Sequence, residues 1–189
     1  AYEKNYDCLM LDDDMKNLNK IEIINGKPKK LPIDMKDVVD ICRKFLKESG
    51  LKLAGITHFT NIMWYNPKIP VRFDDEIANF FYSKPCDVFF DEEMEYMHDL
   101  DYALQHITKK GGGVSLQNIV AEFHVQLMKT DGKNYMEQKG GMHKNTKNRI
   151  KAYNMMKKKW GNLVKDRKFV KQGTRNDYLV TLNRKRGRK

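Results

Sequence analysis

The sequence predicts an α+β fold that is predominantly helical, and three observations support this. Apolar side chains recur every three or four residues along most of the regular segments. Clear β-prone runs with turn signals occur near the two ends of the chain. Of the 189 residues, 40% are apolar and 11% are aromatic, which is enough to form a buried core.

A β-hairpin is predicted near the N-terminus. Residues 21–24 are a β-prone run, and Asn25-Gly26 favours a tight turn with positive φ. Pro28 and Pro32 restrict the returning strand to a sheet edge or an irregular segment, because proline cannot donate to a neighbouring strand.

A helix is predicted next, from an N-cap at Asp34 to a stop at Gly50. Its apolar stripe consists of Val38, Ile41, Cys42, Phe45 and Leu46. Residues 51–73 follow neither the helix nor the strand period. Residues 74–84 have an acidic first turn and precede Pro85, a pattern that favours a short helix.

Two helices are predicted in the following segment. Residues 91–110 begin with acids and end with lysines, the polarity that suits a helix dipole, and the three glycines 111–113 end the helix. Ser115 is the N-cap expected for the second helix. Its apolar stripe consists of Leu116, Ile119, Val120, Phe123 and Leu127. The end of the chain, residues 165–182, predicts two strands around a turn at 172–176.

Residues 143–163, "HKNTKNRIKAYNMMKKKWGNL", predict a basic helix with two distinct faces. The face predicted to be buried consists of Ile150, Tyr153, Met156, Trp160 and Leu163. Lys147, Lys151, Asn154 and Lys158 recur on another face. Residues 142–164 contain no Asp or Glu, so like charges repel along the helix unless an anionic partner lies against it.

Charge is also uneven along the whole chain. Residues 1–100 have 14 Lys and Arg against 19 Asp and Glu, a net charge of −5, whereas residues 101–189 have 22 against 6, a net charge of +16. The asymmetry indicates a nucleic-acid or anionic-membrane surface in the second half. The predicted organisation is an acidic α+β module for interaction or dimerisation in 1–90, a basic nucleic-acid-binding domain in 91–183, and a basic tail in 184–189.

The order of two helices, a basic helix and a terminal hairpin over residues ~92–183 resembles the winged helix-turn-helix family. The resemblance implies a third helix at 145–163 that enters the major groove and a wing at 165–182. Residues 186–188, Arg-Gly-Arg, also resemble the core of an AT-hook, which inserts arginines into a narrow minor groove. A nuclear-localisation patch or a disordered basic tail are the alternative interpretations of this segment.

The predicted function is therefore duplex DNA binding, with RNA binding or docking of an acidic protein partner as alternatives. Lysines would contact phosphates, and amide or guanidinium groups would read base edges, so modest sequence selectivity is expected. The residues predicted to contact nucleic acid are Lys144, Lys147, Asn148, Arg149, Lys151, Asn154, Lys157, Lys158, Lys171, Arg175, Arg184, Arg186 and Arg188.

No enzyme signature is found, and no cofactor or metal is predicted. The acidic runs 12–14, 74–76 and 91–93 have no matching His or Lys at a recognisable spacing. Three widely spaced cysteines, with no CxxC pair, favour buried thiols in a reducing compartment. No apolar run approaches the ~20 residues of a membrane span. The expected location is intracellular, and nuclear in a eukaryote.

Overall fold

The computed structural model describes residues 6–57, 62–73, 77–94, 97–123 and 146–165. These contain eight β-strands and three α-helices. The strands are β1 (Cys8–Leu11), β2 (Met15–Ile24), β3 (Lys27–Pro32), β4 (Leu53–Thr57), β5 (Val71–Arg72), β6 (Ile77–Ser83), β7 (Val114–Leu116) and β8 (Ile119–Phe123). The helices are α1 (Met35–Ser49), α2 (His98–Lys109) and α3 (Thr146–Trp160), with short 3₁₀ helices at Ile62–Trp64 and Gly161–Leu163.

The chain divides into two compact units. Unit 1 contains the described residues of Ala1–Phe90 and Asp99–His124, and unit 2 contains those of Asp91–His98 and Val125–Lys189. Both β-sheets, α1 and most of α2 therefore belong to unit 1, and α3 belongs to unit 2. Residue 91, the predicted domain boundary, is where the chain first passes between the units, but it returns to unit 1 at residue 99.

Five strands of unit 1 form a mixed sheet in the order β1-β6-β4-β7-β5. Strands β4 and β7 are parallel, and the other neighbours are antiparallel. One face of the sheet, including Phe80 and Tyr82, packs in a core with α1. The other face, including Leu53 and Phe81, packs against Tyr102 of α2. The sheet is thus covered by a helix on each face.

The other three strands form an antiparallel sheet in the order β3-β2-β8. Asn25 and Gly26, with φ of 52° and 73°, make the turn between β2 and β3. Among the described strands, β3 pairs only with β2, and it contains Pro28 and Pro32, so the predicted hairpin and the edge position of its second strand are confirmed.

Two predicted helices of unit 1 are confirmed. Helix α1 follows Asp34 and ends at Gly50, which adopts a φ of 72° and donates its backbone N–H to the Leu46 carbonyl oxygen over 3.0 Å. The helix α2 ends just before the predicted glycines, but it begins at His98 rather than at residue 91. Residues 91–94 instead form a turn, in which the Asp91 carboxylate accepts the backbone N–H of Glu93.

The prediction of a predominantly helical fold is wrong. Residues 77–83, predicted to be helical, form β6, an interior strand of the five-stranded sheet between β1 and β4. Residues 115–123, predicted as the start of a second helix, form parts of β7 and β8 in two different sheets. Because this second helix is replaced by strands, the expected winged-helix arrangement is also wrong. The predicted wing lies outside the described residues, except for Lys165.

The physical reason is burial on both sides of the chain. Phe80, Phe81 and Tyr82 are consecutive and all nearly inaccessible to solvent, which a strand covered on both faces allows. Their apolar run carries no period that separates a strand from a helix. Among the described helices, none has the length and apolar composition to cross a bilayer.

Candidate nucleic-acid interface

Helix α3 has one buried apolar face. Ala152 and Met156, four residues apart, are completely buried. Residues four apart lie one above the other on a helix, so these two side chains share one face. Gly161, with a φ of 52°, follows the helix and starts the short 3₁₀ turn.

Another face of α3 is exposed and cationic. Lys151, Asn154 and Lys158 are all exposed and recur at spacings of three and four residues. The part of the sequence around them, residues 142–164, supplies no carboxylate. The structure therefore brings together three of the residues that the sequence predicted to contact nucleic acid.

The predicted apolar stripe is buried only in part. Met156 is fully buried, whereas Ile150, Tyr153, Trp160 and Leu163 are half-buried. Ala152 belongs to the buried face although it was not assigned to the stripe. The Lys159 ammonium lies 5.7 Å from the centroid of the Trp160 ring, within reach of a cation–π contact.

Two lysines of α3 make contacts within unit 2. Lys157, predicted to contact nucleic acid, is half-buried and donates its ammonium to the Val164 carbonyl oxygen over 2.9 Å. Lys159 pairs with the carboxylate of Asp91. This hydrogen bond from Lys159, together with the backbone N–H of Glu93, lowers the pKa of Asp91 below its usual value. These two lysines are thus engaged in contacts within the described part of unit 2.

The side chains of the other predicted contact residues lie outside the described part of the structure. Lys147, Asn148 and Arg149 lie in the first turn of α3, and only their backbone is described. The remaining predicted contacts fall outside the described residues: Lys144, Lys171, Arg175, Arg184, Arg186 and Arg188.

The structure contains a polar cluster in unit 1 that was not predicted from the sequence. The Tyr82 hydroxyl donates to the Asp7 carboxylate and accepts a 2.9 Å hydrogen bond from Arg43 Nε. Lys84 Nζ donates to the same carboxylate over 3.0 Å. No sequence signal connects these residues, because they come from the N-terminal segment, α1 and the end of β6.

The cluster keeps the Asp7 carboxylate charged and the Tyr82 phenol protonated. Burial alone would raise the pKa of Asp7, but the hydrogen bonds from Tyr82 and Lys84 outweigh it and the pKa lies below its usual value. Burial and the bond to Asp7 raise the pKa of Tyr82, so its phenol keeps the proton. The Tyr82 hydroxyl links β6 to Arg43 of α1 and to Asp7. A phenol that keeps its proton does not act as a nucleophile.

The described residues offer no group of three His, Cys, Asp or Glu that could hold a metal ion. His106 is buried on α2, and its pKa is lowered to about 4, first by burial and then by the charge of Lys110. Burial raises the pKa of the Cys42 thiol to about 12, so this thiol is unreactive at neutral pH.

Comparison of the chain with protein-family models, with curated protein sequences and with solved structures finds no match.

Proposed function

We propose that this protein binds duplex nucleic acid, with DNA as the favoured duplex, through the exposed face of α3. The observation that carries the proposal is the row of Lys151, Asn154 and Lys158 on a helix whose other face is buried. A helix surface that stays in solution usually mixes Glu with Lys, and this one has lysines without a carboxylate in the surrounding sequence. Phosphates would neutralise charges that otherwise repel one another.

The dimensions of α3 fit this role. Its 15 residues give a length of about 22 Å, and a helix of ordinary diameter fits the major groove of B-DNA. The two lysines would contact phosphates and release condensed counterions. Asn154 lies between them, and its amide has the donor and acceptor pair that recognises an adenine edge. One such side chain predicts weak sequence preference on top of a larger electrostatic affinity.

The test is a titration of a labelled ~20-base-pair duplex with the full chain at several salt concentrations. The variant Lys151→Gln/Lys158→Gln should bind more weakly, and the slope of log affinity against log salt should fall by about 2 because two phosphate contacts are lost. Lys44→Gln/Lys47→Gln is the matched control. It removes the same charge from exposed positions of α1 and should keep the wild-type slope.

Two results would contradict the proposal. One is the absence of duplex binding by the wild-type protein at low salt. The other is an equal loss of affinity in the two double variants, which would indicate a response to net charge alone. Tighter binding to double-stranded RNA than to duplex DNA would keep the α3 interface but overturn DNA as the favoured duplex.

A further inference from the structure

We infer that unit 1 pairs with a second copy of itself through the outer edge of β1, so that two antiparallel β1 strands join two five-stranded sheets. The inference goes beyond the duplex interface of α3, and every residue that it uses belongs to unit 1. It gives a location to the dimerisation that the sequence predicts for residues 1–90.

Strand β1 lies at an edge of the five-stranded sheet. It pairs with β6 on one side, and none of the described strands lies on its other side. In antiparallel pairing, every second residue of an edge strand directs its N–H and C=O groups away from the sheet. The outer side of β1 therefore offers backbone donors and acceptors to another extended strand.

The other edge strands have features that prevent such pairing, and β1 does not. Strand β3 contains Pro28, Pro32 and three lysines. Strand β5 contains Arg72, and β8 contains Glu122. Proline and charged side chains at an edge disfavour pairing with another chain. Strand β1, with the sequence Cys-Leu-Met-Leu, is the one described edge strand without a proline or a charged residue.

Strand β1 also has apolar side chains on both of its faces. Met10 packs in the core between the sheet and α2. Leu9 and Leu11 lie on the opposite face, the one that α1 covers farther into the sheet. They remain 38% and 39% exposed, so α1 leaves the edge of this face in contact with water. Covering these two leucines would contribute hydrophobic free energy to an association.

A second copy of β1 matches this edge. Two identical strands that pair antiparallel in one sheet are related by a two-fold axis perpendicular to that sheet, so each face of one copy continues into the same face of the other. Leu9 and Leu11 of both copies therefore share one face in every such register and cover one another. Each copy uses its β1 edge once, so the assembly closes as a dimer.

The charges at the two ends of β1 also favour an antiparallel copy. After the C-terminal end of β1, residues 12–14 supply three carboxylates. The N-terminal end follows Asp7, which belongs to a bonded network with three cations and two carboxylates and a net charge of +1. The members of this network are Asp7, Lys36, Asp40, Arg43, Tyr82 and Lys84. Antiparallel pairing brings the acidic segment of one copy to the cationic end of the other, twice in each dimer.

The experiment is sedimentation equilibrium of the full chain, without nucleic acid, at protein concentrations of roughly 5–500 µM. A weak dimer is expected, with a dissociation constant on the order of 10–100 µM, because a strand of four residues forms a small interface. Leu9→Lys should weaken the dimer at least about tenfold, because it places an ammonium group in the paired edge.

Leu31→Lys is the matched control. Leu31 is also a leucine of an edge strand and is 36% exposed, but it belongs to β3. The same substitution there should leave the dissociation constant within about twofold of wild type. Both positions are exposed, so circular dichroism should show the wild-type fold in both variants.

A charge-swap mixture gives a second readout. Leu9→Lys and Leu9→Glu should each sediment as monomers, and an equimolar mixture of the two should associate, because unlike charges then share one face of adjacent strands. Misfolding of either variant would not produce this recovery.

The inference is overturned if the wild-type protein stays monomeric over the whole concentration range. It is equally overturned if Leu31→Lys loses as much affinity as Leu9→Lys, or if the mixture of the two Leu9 variants remains monomeric. Duplex binding through α3 is judged separately, by the titration with duplex.

Discussion

His106 lies edge to face with Tyr102, one turn earlier on α2, with their ring centroids 4.8 Å apart. Neither ring nitrogen of His106 has a hydrogen-bond partner among the described residues, and the side chain is completely buried. An imidazole in such a site stays neutral, because its charged form would lose hydration without gaining a partner.

This histidine should make the protein less stable in mild acid. Burial, followed by the charge of Lys110, lowers its folded-state pKa from 6.5 to about 4, while Asp87 acts in the opposite direction. As the pH falls from 6.5 towards 4, the unfolded chain takes up a proton that the folded chain does not, so stability decreases. The loss is on the order of 3 kcal/mol over this window.

The variant His106→Phe should reduce that part of the pH dependence. It keeps an aromatic ring against Tyr102 and removes the titrating group. The free energy of unfolding, measured in urea between pH 7 and 4, should fall less steeply than in the wild type. His98→Phe, at an exposed position of the same helix, controls for the substitution. The prediction would be contradicted if the free energy of unfolding fell equally steeply with pH in His106→Phe and in the wild type.

The Tyr82 hydroxyl should contribute measurably to the stability of unit 1. Tyr82→Phe removes the donor to Asp7 and the acceptor of Arg43 Nε and keeps the buried ring. The expected loss is about 1–2 kcal/mol, because two hydrogen bonds to charged groups are replaced by partial solvation. Urea denaturation measures it, with Tyr6→Phe at an exposed tyrosine as the control. A Tyr82→Phe protein as stable as the Tyr6→Phe protein would show that the cluster adds nothing.

Gly55 should tolerate no side chain. A Cβ at this position of β4 would overlap the Phe80 carbonyl oxygen and the Ile77 side chain of β6. Because backbone atoms of a paired strand cannot move aside, Gly55→Ala should cost more than about 3 kcal/mol or prevent folding.

Gly26→Ala provides the comparison for Gly55. Gly26 has open space around it and a φ of 73°, so only backbone strain is expected, at about 1 kcal/mol. Thermal unfolding followed by circular dichroism compares the two variants. Equal losses of stability in Gly55→Ala and Gly26→Ala would contradict the prediction, because they would mean that β4 and β6 can move apart at Gly55.

The ion pair between Asp91 and Lys159 should weaken duplex binding, because it offsets one positive charge of α3. Asp91→Asn removes the carboxylate paired with that lysine and raises the net charge of unit 2 by one. Duplex affinity at low salt should therefore increase a fewfold, and the gain should shrink at high salt. Glu93→Gln, an exposed neighbour, makes the same charge change without the ion pair. An equal gain from Glu93→Gln would show that the pair with Lys159 has no part in the effect.

The sequence correctly predicted elements whose signals are local. Asp34 and Gly50 mark the ends of α1, and Asn25-Gly26 marks the hairpin. The Gly50 cap and the turn depend on the chemistry of a few adjacent residues, whereas the Asp34 side chain makes no capping hydrogen bond. The exposed row of α3 was predictable for the same reason. A helix with one buried face fixes where Lys151 and Lys158 lie relative to each other.

Residues 77–83 and 115–123 were mispredicted because their signals are ambiguous without partners. In the second segment, Leu116, Ile119 and Val120 have helical spacing, but Gln117 and Asn118 turn the chain from one sheet to the other. That turn is held from a distance: Gln117 donates its backbone N–H to the Pro70 carbonyl oxygen over 2.8 Å. Such a contact cannot be inferred from residues that are adjacent in the sequence.

The sequence by itself determined the charge asymmetry, the ends of α1, the edge hairpin and the two-sided character of α3. The tertiary structure alone decided which apolar runs became strands and placed Asp7 beside Tyr82. It also left the ring nitrogens of His106 without a hydrogen-bond partner among the described residues and turned Trp64 outward. The reason is physical. Periodicity, caps and turns act over a few residues, whereas strand pairing and burial depend on segments that are distant in the chain.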